Sequence, residues 1–414
     1  MTEETVDVAI VGAGMAGLTC GLALTQLGLS CRLIDRVDPK TTLDDAFDGR
    51  VTAIAFAAAR IFRKLGVWET LAPHAQPIRD ILVTDGAPRN RFDRGGASSQ
   101  FLHFDSAELG DAHDGPLGWI IENRHIRAAL CEGADKAPEL SIHAPAEIAE
   151  TDTRAGDVAL RFADGARLTA SLLIAADGRG SRTRDAAGLR TVRWRYPQSG
   201  LVASVSHEQP HDGVAQEFFL PGGPFAILPM TGERSSLVWT EPHARAEALA
   251  KAPAPVFESE LRDRFGPYLG DLEASGPRWT YPLAFHLTTR LTAPRLALVG
   301  DAAHGIHPIA GQGFNLGLKD IAALAHVIGD TLHAGEDIGG PSALERYQSW
   351  RRFDTALMGL GTDVINRLFS NDLPPVRAVR RAGLGLVNAI GPARRFFMRN
   401  AGGAVGDLPA LMRP

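Results

Sequence analysis

Near its N-terminus the chain carries a glycine pattern that few folds accommodate. The segment VDVAIVGAGMAGLTCGLALTQLGLSCRLIDR reads as a buried strand, a glycine turn, a helix rich in Leu and Ala, and a second buried strand. The turn has the spacing G-x-G-x-x-G, in the residues Gly12-Ala13-Gly14-Met15-Ala16-Gly17. Such a strand–turn–helix–strand unit predicts an α/β fold with a parallel sheet.

Each glycine of this turn has its own physical task. Gly12 permits the tight turn, Gly14 lets a pyrophosphate approach the backbone, and Gly17 lets the helix pack closely on the strand. The first helical residues, Met15 and Ala16, offer N–H groups and a partial positive charge to phosphates. The pattern therefore predicts dinucleotide binding.

An acid stands where the second strand ends. Asp35 follows Gly12 by 23 residues, at the position where a carboxylate binds ribose hydroxyls. The alternative is a glycine-rich turn beside a surface aspartate, but strand, helix and acid are all in register. The pattern by itself does not separate FAD from NAD.

A second motif follows another buried strand, in LLIAADGRGSRTR. Asp177, Ser181 and Arg184 form the pattern D-G-x-x-S-x-x-R. An acid at a strand end, followed by a hydroxyl and an arginine, can cap the next helix and contact the phosphate side of a cofactor. The residues also allow a helix N-cap with a solvated arginine. The presence of the first motif favours a cofactor contact for Asp177.

A third motif lies late in the chain, in RLALVGDAAHGIHPIAGQGFNLGLKD. A buried strand ends in Gly300-Asp301, where the carboxylate can accept a hydrogen bond from a ribityl hydroxyl. A loop follows and leads into a helix whose N-terminal N–H groups favour negative charge. The loop and helix residues predicted to meet a flavin ring are Pro308, Gly311, Gln312, Gly313 and Asn315. His304 and His307 are expected to be structural rather than acid–base residues.

Composition limits the other possibilities. The net charge of −5 gives no electrostatic reason for nucleic-acid binding. Three scattered cysteines are too few for a disulfide framework or a zinc site and favour a reducing compartment. We find no long apolar run for a transmembrane helix and no basic, cleavable leader at the N-terminus. A cytoplasmic protein without a metal site is expected.

The middle of the chain has a different pattern. VAQEFFL, PFAILPM and SSLVWTE are short strands separated by Pro/Gly turns, which predicts an antiparallel sheet. From Leu316 onward the chain reads as mostly helical. The predicted units are a discontinuous FAD-binding domain (1–71, 119–184 and 286–372), a substrate-binding sheet domain (72–118 and 185–285) and a basic helical segment (373–414).

The three motifs, in this order and over nearly the whole chain, resemble those of FAD-dependent aromatic hydroxylases of the p-hydroxybenzoate hydroxylase type. The stretches GDAAHGIHPIAGQGFNLGLKD, PGGPFAILPM and ENRHIRAAL are similar to the branch that acts in ubiquinone biosynthesis. This resemblance implies that Arg50 and Arg124 help to hold FAD. A loop salt bridge for Arg50 and a surface cation at a helix end for Arg124 are the alternatives. Asp35 stands where many members carry Glu.

The resemblance also implies the reaction. An external donor, NAD(P)H or a redox protein, reduces FAD, which adds O2 to form a C4a-hydroperoxide. A polyprenylated phenol then takes up one oxygen atom on its ring. A phenol is already activated, so no strong acid or nucleophile is required, and the sequence identifies no base. Phe219, Phe225 and Leu228 are candidates for the substrate pocket or for the core of the sheet.

Other functions stay open. A hydroxylase of a small soluble aromatic compound and a flavin-binding scaffold subunit without turnover have the same motifs. An NAD-dependent dehydrogenase is disfavoured, because it would have no function for the late Gly300-Asp301 and Gly311 segments. The segment from Pro374 to Pro414 carries a charge of +6, which leaves −11 for the rest. It mixes arginines with apolar residues, which favours peripheral contact with the inner face of a membrane or with a biosynthetic complex over a solvated helical face.

Overall fold

The computed structural model of the protein describes residues 3–44, 49–86, 101–110, 115–220, 222–308, 311–369, 383 and 385–414. Arg377, Arg380 and Arg381 of the predicted basic segment lie outside these residues.

Three sheets make up the strand framework. In chain order the strands are β1 (Glu3–Val11), β2 (Cys31–Ile34), β3 (Val51–Ala55), β4 (Gln76–Ile78), β5 (Asp80–Asp85), β6 (Phe101–Asp105), β7 (Gly118–Glu122), β8 (Leu140–His143), β9 (Ile148–Thr153), β10 (Val158–Phe162), β11 (Arg167–Ala175), β12 (Thr191–His207), β13 (Val214–Leu220), β14 (Gly223–Met230), β15 (Arg234–Pro242), β16 (Leu272–Thr288), β17 (Thr292–Ala293), β18 (Leu296–Leu298) and β19 (His304–Gly305).

Helices connect and cover these sheets. They are α1 (Met15–Thr25), α2 (Phe56–Lys64), α3 (Trp68–Leu71), α4 (Asn123–Lys136), α5 (Arg182–Ala186), α6 (His243–Lys251), α7 (Ala254–Phe265), α8 (Gly313–His333), α9 (Pro341–Phe369) and α10 (Gly391–Ala401). In the described part of the chain, no helix combines the length and the apolar composition needed to cross a bilayer.

The first sheet is the parallel sheet predicted from the glycine pattern. Its order is β17-β18-β11-β1-β2-β8, and the pairs from β18 to β8 are all parallel. Val8, Ala9 and Ile10 of β1 are fully buried, which explains why the strand is a continuous apolar run. Helix α1 packs on β1 and β2 and contacts α4 and α8. The carboxyl ends of these strands form the edge at which the three motifs meet.

Strands β10 and β11 form a hairpin with its turn at Asp164-Gly165. The second arm of the hairpin and the buried strand after it are one continuous strand, β11. Its first half pairs antiparallel with β10, while its whole length runs parallel to β1. Strand β11 can pair with β1 over its whole length because β10 and β18 occupy its other edge, one after the other.

The second sheet is the antiparallel middle of the chain. Its order is β19-β16-β12-β15-β14-β13-β5-β6, and only the β13–β5 pair is parallel. Helices α6 and α7 cover one face, where Leu201, Phe225 and Trp239 form a core with Phe257 and Leu261. The third sheet, β3-β7-β4, lies between the other two and contacts β14. These observations confirm the predicted fold class.

The C-terminal residues that the structure describes pack against the helices that cover the first sheet. The backbone N–H of Ala57 donates to the carbonyl of Gly402 at 3.1 Å. Met398 and Met412 are buried in the main core. Residues after Gly391 are therefore part of the folded unit rather than an appended tail.

Candidate active site

The three glycines of the first motif have different surroundings. Gly12 has a φ of +106°, and a Cβ there would overlap the carbonyl oxygen of Ala176. A Cβ at Gly17 would overlap the carbonyl oxygen of Gly12. Gly14 has no heavy atom within 4 Å of an added Cβ. Packing therefore requires two of these glycines, whereas Gly14 faces open space in which a ligand would fit.

Helix α1 begins at that open space without a cap. Its N-cap residue is Gly14, no side chain accepts from the first turn, and the first turn contains no acid. The N–H groups of Met15, Ala16 and Gly17 precede the first intrahelical donor, Leu18, whose N–H donates to Gly14. These groups suit a pyrophosphate.

Asp35 is oriented by the same turn. Its Oδ2 accepts from the N–H of Ala13 at 2.7 Å and its Oδ1 from the N–H of Val37 at 3.1 Å. A carboxylate has further lone pairs with which to bind ribose hydroxyls. A cavity of about 540 Å³ adjoins this point and is lined by Gly12, Asp35 and Asp177, among others, but not by the residues of the predicted flavin loop.

The second motif forms a helix cap tied to the third motif. Ser181 Oγ accepts from the N–H of Arg184 at 3.0 Å, as predicted for an N-cap. Arg184 is buried rather than solvated and donates to the carbonyl of Ala302 at 3.1 Å. Asp177 Oδ2 accepts from Thr183, whereas its buried Oδ1 has no hydrogen-bond partner. An orphaned carboxylate oxygen beside the glycine turn fits a bound polar group.

The Gly300-Asp301 turn lies below α8. Gly300 has a φ of +59°, which favours glycine, and its N–H donates to Asp320 Oδ2 at 3.1 Å. The half-exposed Asp301 side chain accepts from Arg179 Nε at 3.0 Å. The carboxylate is thus held at the cleft, where a ribityl hydroxyl would meet it.

A buried charge network supports this turn. His304 Nε2 lies 2.5 Å from Asp320 Oδ2, and Arg351 Nε donates to Asp320 Oδ1 at 2.8 Å. Burial alone would raise the pKa of Asp320, but His304 and Arg351 lower it below its ordinary value. All three side chains are buried. His304 is therefore structural, as expected.

The loop before α8 has the predicted uncapped geometry. Gly311 has a φ of +61°, and its N–H donates to the Pro308 carbonyl at 2.8 Å. Helix α8 begins at Gly313, with Gln312 as an N-cap residue that makes no side-chain cap. The first-turn N–H groups favour nearby negative charge. Ile309 and Ala310 lie outside the described residues.

Asn315 holds this loop in place. Its Oδ1 accepts from the N–H of Ala55 at 3.0 Å, and its Nδ2 donates to the carbonyls of Ala53 at 2.8 Å and Gly311 at 3.3 Å. Both ends of the amide are therefore used within the protein, and a contact of Asn315 with the cofactor stays a prediction.

His307 lies behind the loop. Its ring meets Tyr196 edge-on at 5.0 Å between centroids, and Tyr196 donates its hydroxyl proton to Asp363 at 2.6 Å. Burial lowers the pKa of His307 to about 4, against the raising effect of Asp363. The imidazole is neutral at neutral pH.

Arg50 and Arg124 lie near the third sheet. The Arg50 guanidinium stands over the Tyr281 ring of β16, 4.8 Å from its centroid. Arg124 pairs with Glu122 at 2.8 Å. Arg50, which precedes β3, therefore contacts the second sheet through Tyr281. A contact of either arginine with FAD stays a prediction.

The three residues of the second sheet that were candidates for the substrate pocket lie in three different environments. Phe225 is fully buried in the core under α7, against Trp239, so it does not line a pocket. Of the two alternatives for Phe225, the structure supports core packing, because alternation along β14 turns its side chain to the far face. Leu228 packs toward the core of the first sheet, and Phe219 packs with Leu102 at the other edge.

Several residues of the site escaped prediction. Arg179, Thr183, Asp320 and Arg351 hold Asp301, Asp177 and Gly300 in place. Arg179 and Thr183 lie inside the second motif, so their position in the sequence could have identified them as site residues. Arg351 lies on α9, far from all three motifs in the sequence, and nothing in its surroundings identified it.

The fold and this site define a dinucleotide-binding flavoprotein. A sequence family described as FAD binding domain matches residues 5–356. The chain belongs to this family of FAD-dependent monooxygenases, and its cofactor is FAD. Among the described residues, no group of His, Cys, Asp and Glu side chains has the arrangement of a metal site.

The curated relatives extend over almost the whole chain. A ubiquinone hydroxylase, UbiL, of Rhodospirillum rubrum is 42% identical over 99% of this chain and 93% of its own length. The 3-demethoxyubiquinol 3-hydroxylase of Escherichia coli is 33% identical over 97% of this chain and 99% of its own. These relatives confirm the predicted hydroxylase class.

Solved structures share the fold. The p-nitrophenol 4-monooxygenase PnpA of Pseudomonas putida matches with a TM-score of 0.78 and 19% identity, over 96% of this chain and 98% of its own. HpxO of Klebsiella pneumoniae, solved with FAD, matches with a TM-score of 0.74 and 18% identity, over 96% and 99%.

Proposed function

We propose that this enzyme hydroxylates the aromatic ring of a polyprenylated phenol on the route to ubiquinone, using FAD and O2. The observation that carries the proposal is the uncapped start of α8 directly after the Pro308–Gly311 turn. Reduction places negative charge on a flavin ring, and a helix N-terminus stabilises negative charge. The names of the curated relatives support the substrate class.

FAD, when bound, supplies the redox and oxygen-activating chemistry. The residues of the protein bind FAD and orient it. The first turn of α1 would hold the pyrophosphate, Asp35 the ribose, and Asp301 the ribityl chain. The α8 N-terminus would meet the flavin ring. Because the phenol ring is already electron-rich, exclusion of water matters more than a strong acid or base.

We assign substrate binding to the face of the second sheet that turns toward the first. Leu228 supports this assignment, since it lies partly buried on that face. The division into a discontinuous FAD-binding domain and a sheet domain, at the boundaries predicted above, is part of the same proposal.

The first test is mass spectrometry of the prenylated lipids from cells that lack the gene. We expect a quinone precursor that lacks one oxygen atom, and its structure would give the ring carbon and the prenyl length. Complementation with the wild-type gene should remove the precursor, whereas a Gly14→Val gene should not. A normal quinone profile in cells without a redundant hydroxylase would favour a small soluble aromatic substrate.

The scaffold alternative requires a separate test with the purified holoenzyme. Transfer of an isotopically labelled oxygen atom from O2 to the phenol would exclude a flavin-binding scaffold without turnover. Anaerobic mixing of the holoenzyme with NADH or NADPH separates the two proposed donors. Bleaching of the flavin absorbance indicates direct reduction, and its absence indicates a redox protein.

We also propose that the enzyme contacts an anionic membrane surface on its cytoplasmic side. Helix α9 is unusual because several of its buried residues are polar, among them Thr355, Thr362 and Asp363. From Phe353 onward its outer positions are mostly apolar, with Phe353 72%, Leu357 62% and Leu360 53% exposed. Exposed apolar side chains on a helix bind the interface of a bilayer.

The end of the chain adds a second exposed element. Phe396 and Phe397 of α10 are exposed beside the exposed arginines Arg395 and Arg399. Arg394 instead pairs with Glu108 at 2.9 Å within the protein. Exposed arginines next to aromatic residues match anionic lipid headgroups. A lipid surface also suits a substrate whose tail dissolves in lipid.

Liposome flotation tests this surface. Truncation would remove Met398 and Met412 from the core, so substitutions are preferable. We expect the double variant Leu357→Glu, Leu360→Glu to float less with anionic vesicles than the wild type. The control is Ser342→Glu, at an exposed position at the start of the same helix. Equal flotation of all three proteins contradicts the proposal, and a change in oligomeric state indicates a second copy as the occupant.

A further inference from the structure

Glu217 is an acid in the middle of an apolar row of the second sheet. It lies on β13, opposite Val83 of β5 and Ala226 of β14. The row continues through Val238 and Val202 to Trp279. Directly opposed residues point to the same face of a sheet, so Glu217 is the carboxyl group among these side chains.

That face turns toward the dinucleotide-binding side. Phe218, the next residue on β13, belongs to the core under α7, which lies on the far face. Ala215, two residues before Glu217, packs in the main core with the first sheet. At the other end of the row, a Cβ at Gly49 would overlap the Trp279 ring. Glu217 therefore faces the side on which the flavin loop lies.

The carboxyl group has no internal partner among the described residues. No hydrogen bond or ion pair joins it to them, although the residue is partly buried. Apolar surroundings raise its pKa to about 8 by desolvation. Polar groups in such positions are normally paired, and an unpaired, perturbed acid on the face turned toward the dinucleotide-binding side indicates a ligand.

We propose that Glu217 binds the phenolic hydroxyl of the substrate and takes its proton when the ring is oxygenated. The inference rests on the proposed function. The phenol O–H bond breaks, the proton joins a Glu217 oxygen, and the electron pair stays on the phenol oxygen and enriches the ring. O2 supplies one oxygen atom to the ring, and its other atom leaves as water with two electrons from the external donor, NAD(P)H or a redox protein. The ring carbon loses its hydrogen as a proton, which provides one of the protons of that water, and the phenol oxygen recovers a proton from Glu217.

The acidity of the two partners suits this transfer. A phenol with a pKa of about 10 gives up its proton more readily to a carboxylate whose pKa is raised than to an ordinary one. The ionisable groups on the described part of this face include Asp85 on β5, Arg234 on β15, Glu273 on β16, and Tyr281 with Arg50 over its ring. Arg234 is engaged with Glu122 at 3.5 Å.

The test uses the holoenzyme and a phenol that carries one prenyl group. In the wild type we expect kcat/KM to rise with pH through an inflection near 8. Glu217→Gln keeps the shape of the side chain but cannot accept the proton. It should lower kcat/KM by about 100-fold and remove the inflection. Ultraviolet difference spectra should show less ionised phenol in the variant complex.

A more acidic phenol gives the decisive comparison. With a ring-fluorinated prenylated phenol, which ionises without help, the effect of Glu217→Gln should shrink to less than about threefold. Glu217→Asp should retain part of the inflection. Glu233→Gln, an exposed acid in the turn before β15, is the matched control and should behave as the wild type.

The outcomes separate the two proposals. Equal kcat/KM and equal phenol ionisation in wild type and Glu217→Gln would overturn the role of Glu217, while the hydroxylase function would stand. An equal loss with both phenols would also overturn it, because that result indicates packing rather than proton transfer. A wild type that neither binds nor oxygenates either phenol would overturn both proposals.

Discussion

The parallel sheet and the second sheet use their residues in different ways. At the parallel sheet, the proposed cofactor site consists of backbone groups at strand ends and helix starts, at glycines such as Gly12, Gly14 and Gly311. In the second sheet, side chains alternate between two faces, as Phe225 and Leu228 illustrate, and we propose that the face of Leu228 binds the substrate. A site formed by backbone groups needs particular residues at adjacent positions, so it is recognisable as a short motif. A site formed by side chains that alternate along separate strands has no such motif.

The largest expected effect concerns the first motif. Gly17→Val should prevent stable folding, because its side chain would overlap the Gly12 carbonyl. Gly14→Val should fold but fail to retain FAD, because its side chain would occupy open space that a pyrophosphate needs. Circular dichroism and the flavin absorbance of the purified proteins check both results. A yellow Gly14→Val protein with normal flavin content would show that the pyrophosphate lies elsewhere.

The next effect compares the two faces of the second sheet. Phe225→Ala should lower the free energy of unfolding by about 3–5 kcal/mol, because it leaves a cavity in the core under α7. Leu228→Ala should cost less stability, since Leu228 is only partly buried, and should raise KM for the prenylated phenol. Urea unfolding and steady-state kinetics measure the pair. If the two variants exchanged these effects, the assignment of the faces would be wrong.

The smallest effect concerns the junction of the two regions, at His307. Its pKa is lowered to about 4 by burial, below the unfolded value of about 6.5. Between these values the unfolded chain binds a proton that the folded protein does not, so stability falls as the pH drops through this window. Between pH 7 and pH 4.5 the wild type should lose about 2 kcal/mol more than His307→Asn. Parallel losses in both proteins would assign the titration to other groups.

The fold class was predictable because its signals are local. Continuous apolar strands, the glycine turn and the DG and GD segments each occupy a few consecutive residues. The antiparallel middle was also predictable from its turns, but the seventeen-residue strands β12 and β16 were not recognised. Their polar and apolar residues mix because bulges shift the register within each strand.

The membrane surface illustrates a partial prediction. Composition pointed to the basic end of the chain, where Arg394 turns out to pair with Glu108. The exposed apolar face of α9 was not anticipated. A helix with apolar residues outside and polar residues inside has the same periodicity as an ordinary amphipathic helix. The sequence alone does not say which side is buried.

The sequence by itself determined dinucleotide binding, and the resemblance of its three motifs to a known family predicted FAD and the class of reaction. Binding a dinucleotide needs backbone N–H groups at tight turns. Only glycine and a few neighbouring residues permit those turns, so the binding motif occupies adjacent positions in the sequence. The tertiary structure alone decided which side chains serve the motif. Asp320 and Arg351, which come from different helices, meet beside Gly300, and strand register places Glu217 on the face of Ala226. Such contacts depend on how distant segments pack, which no local pattern records.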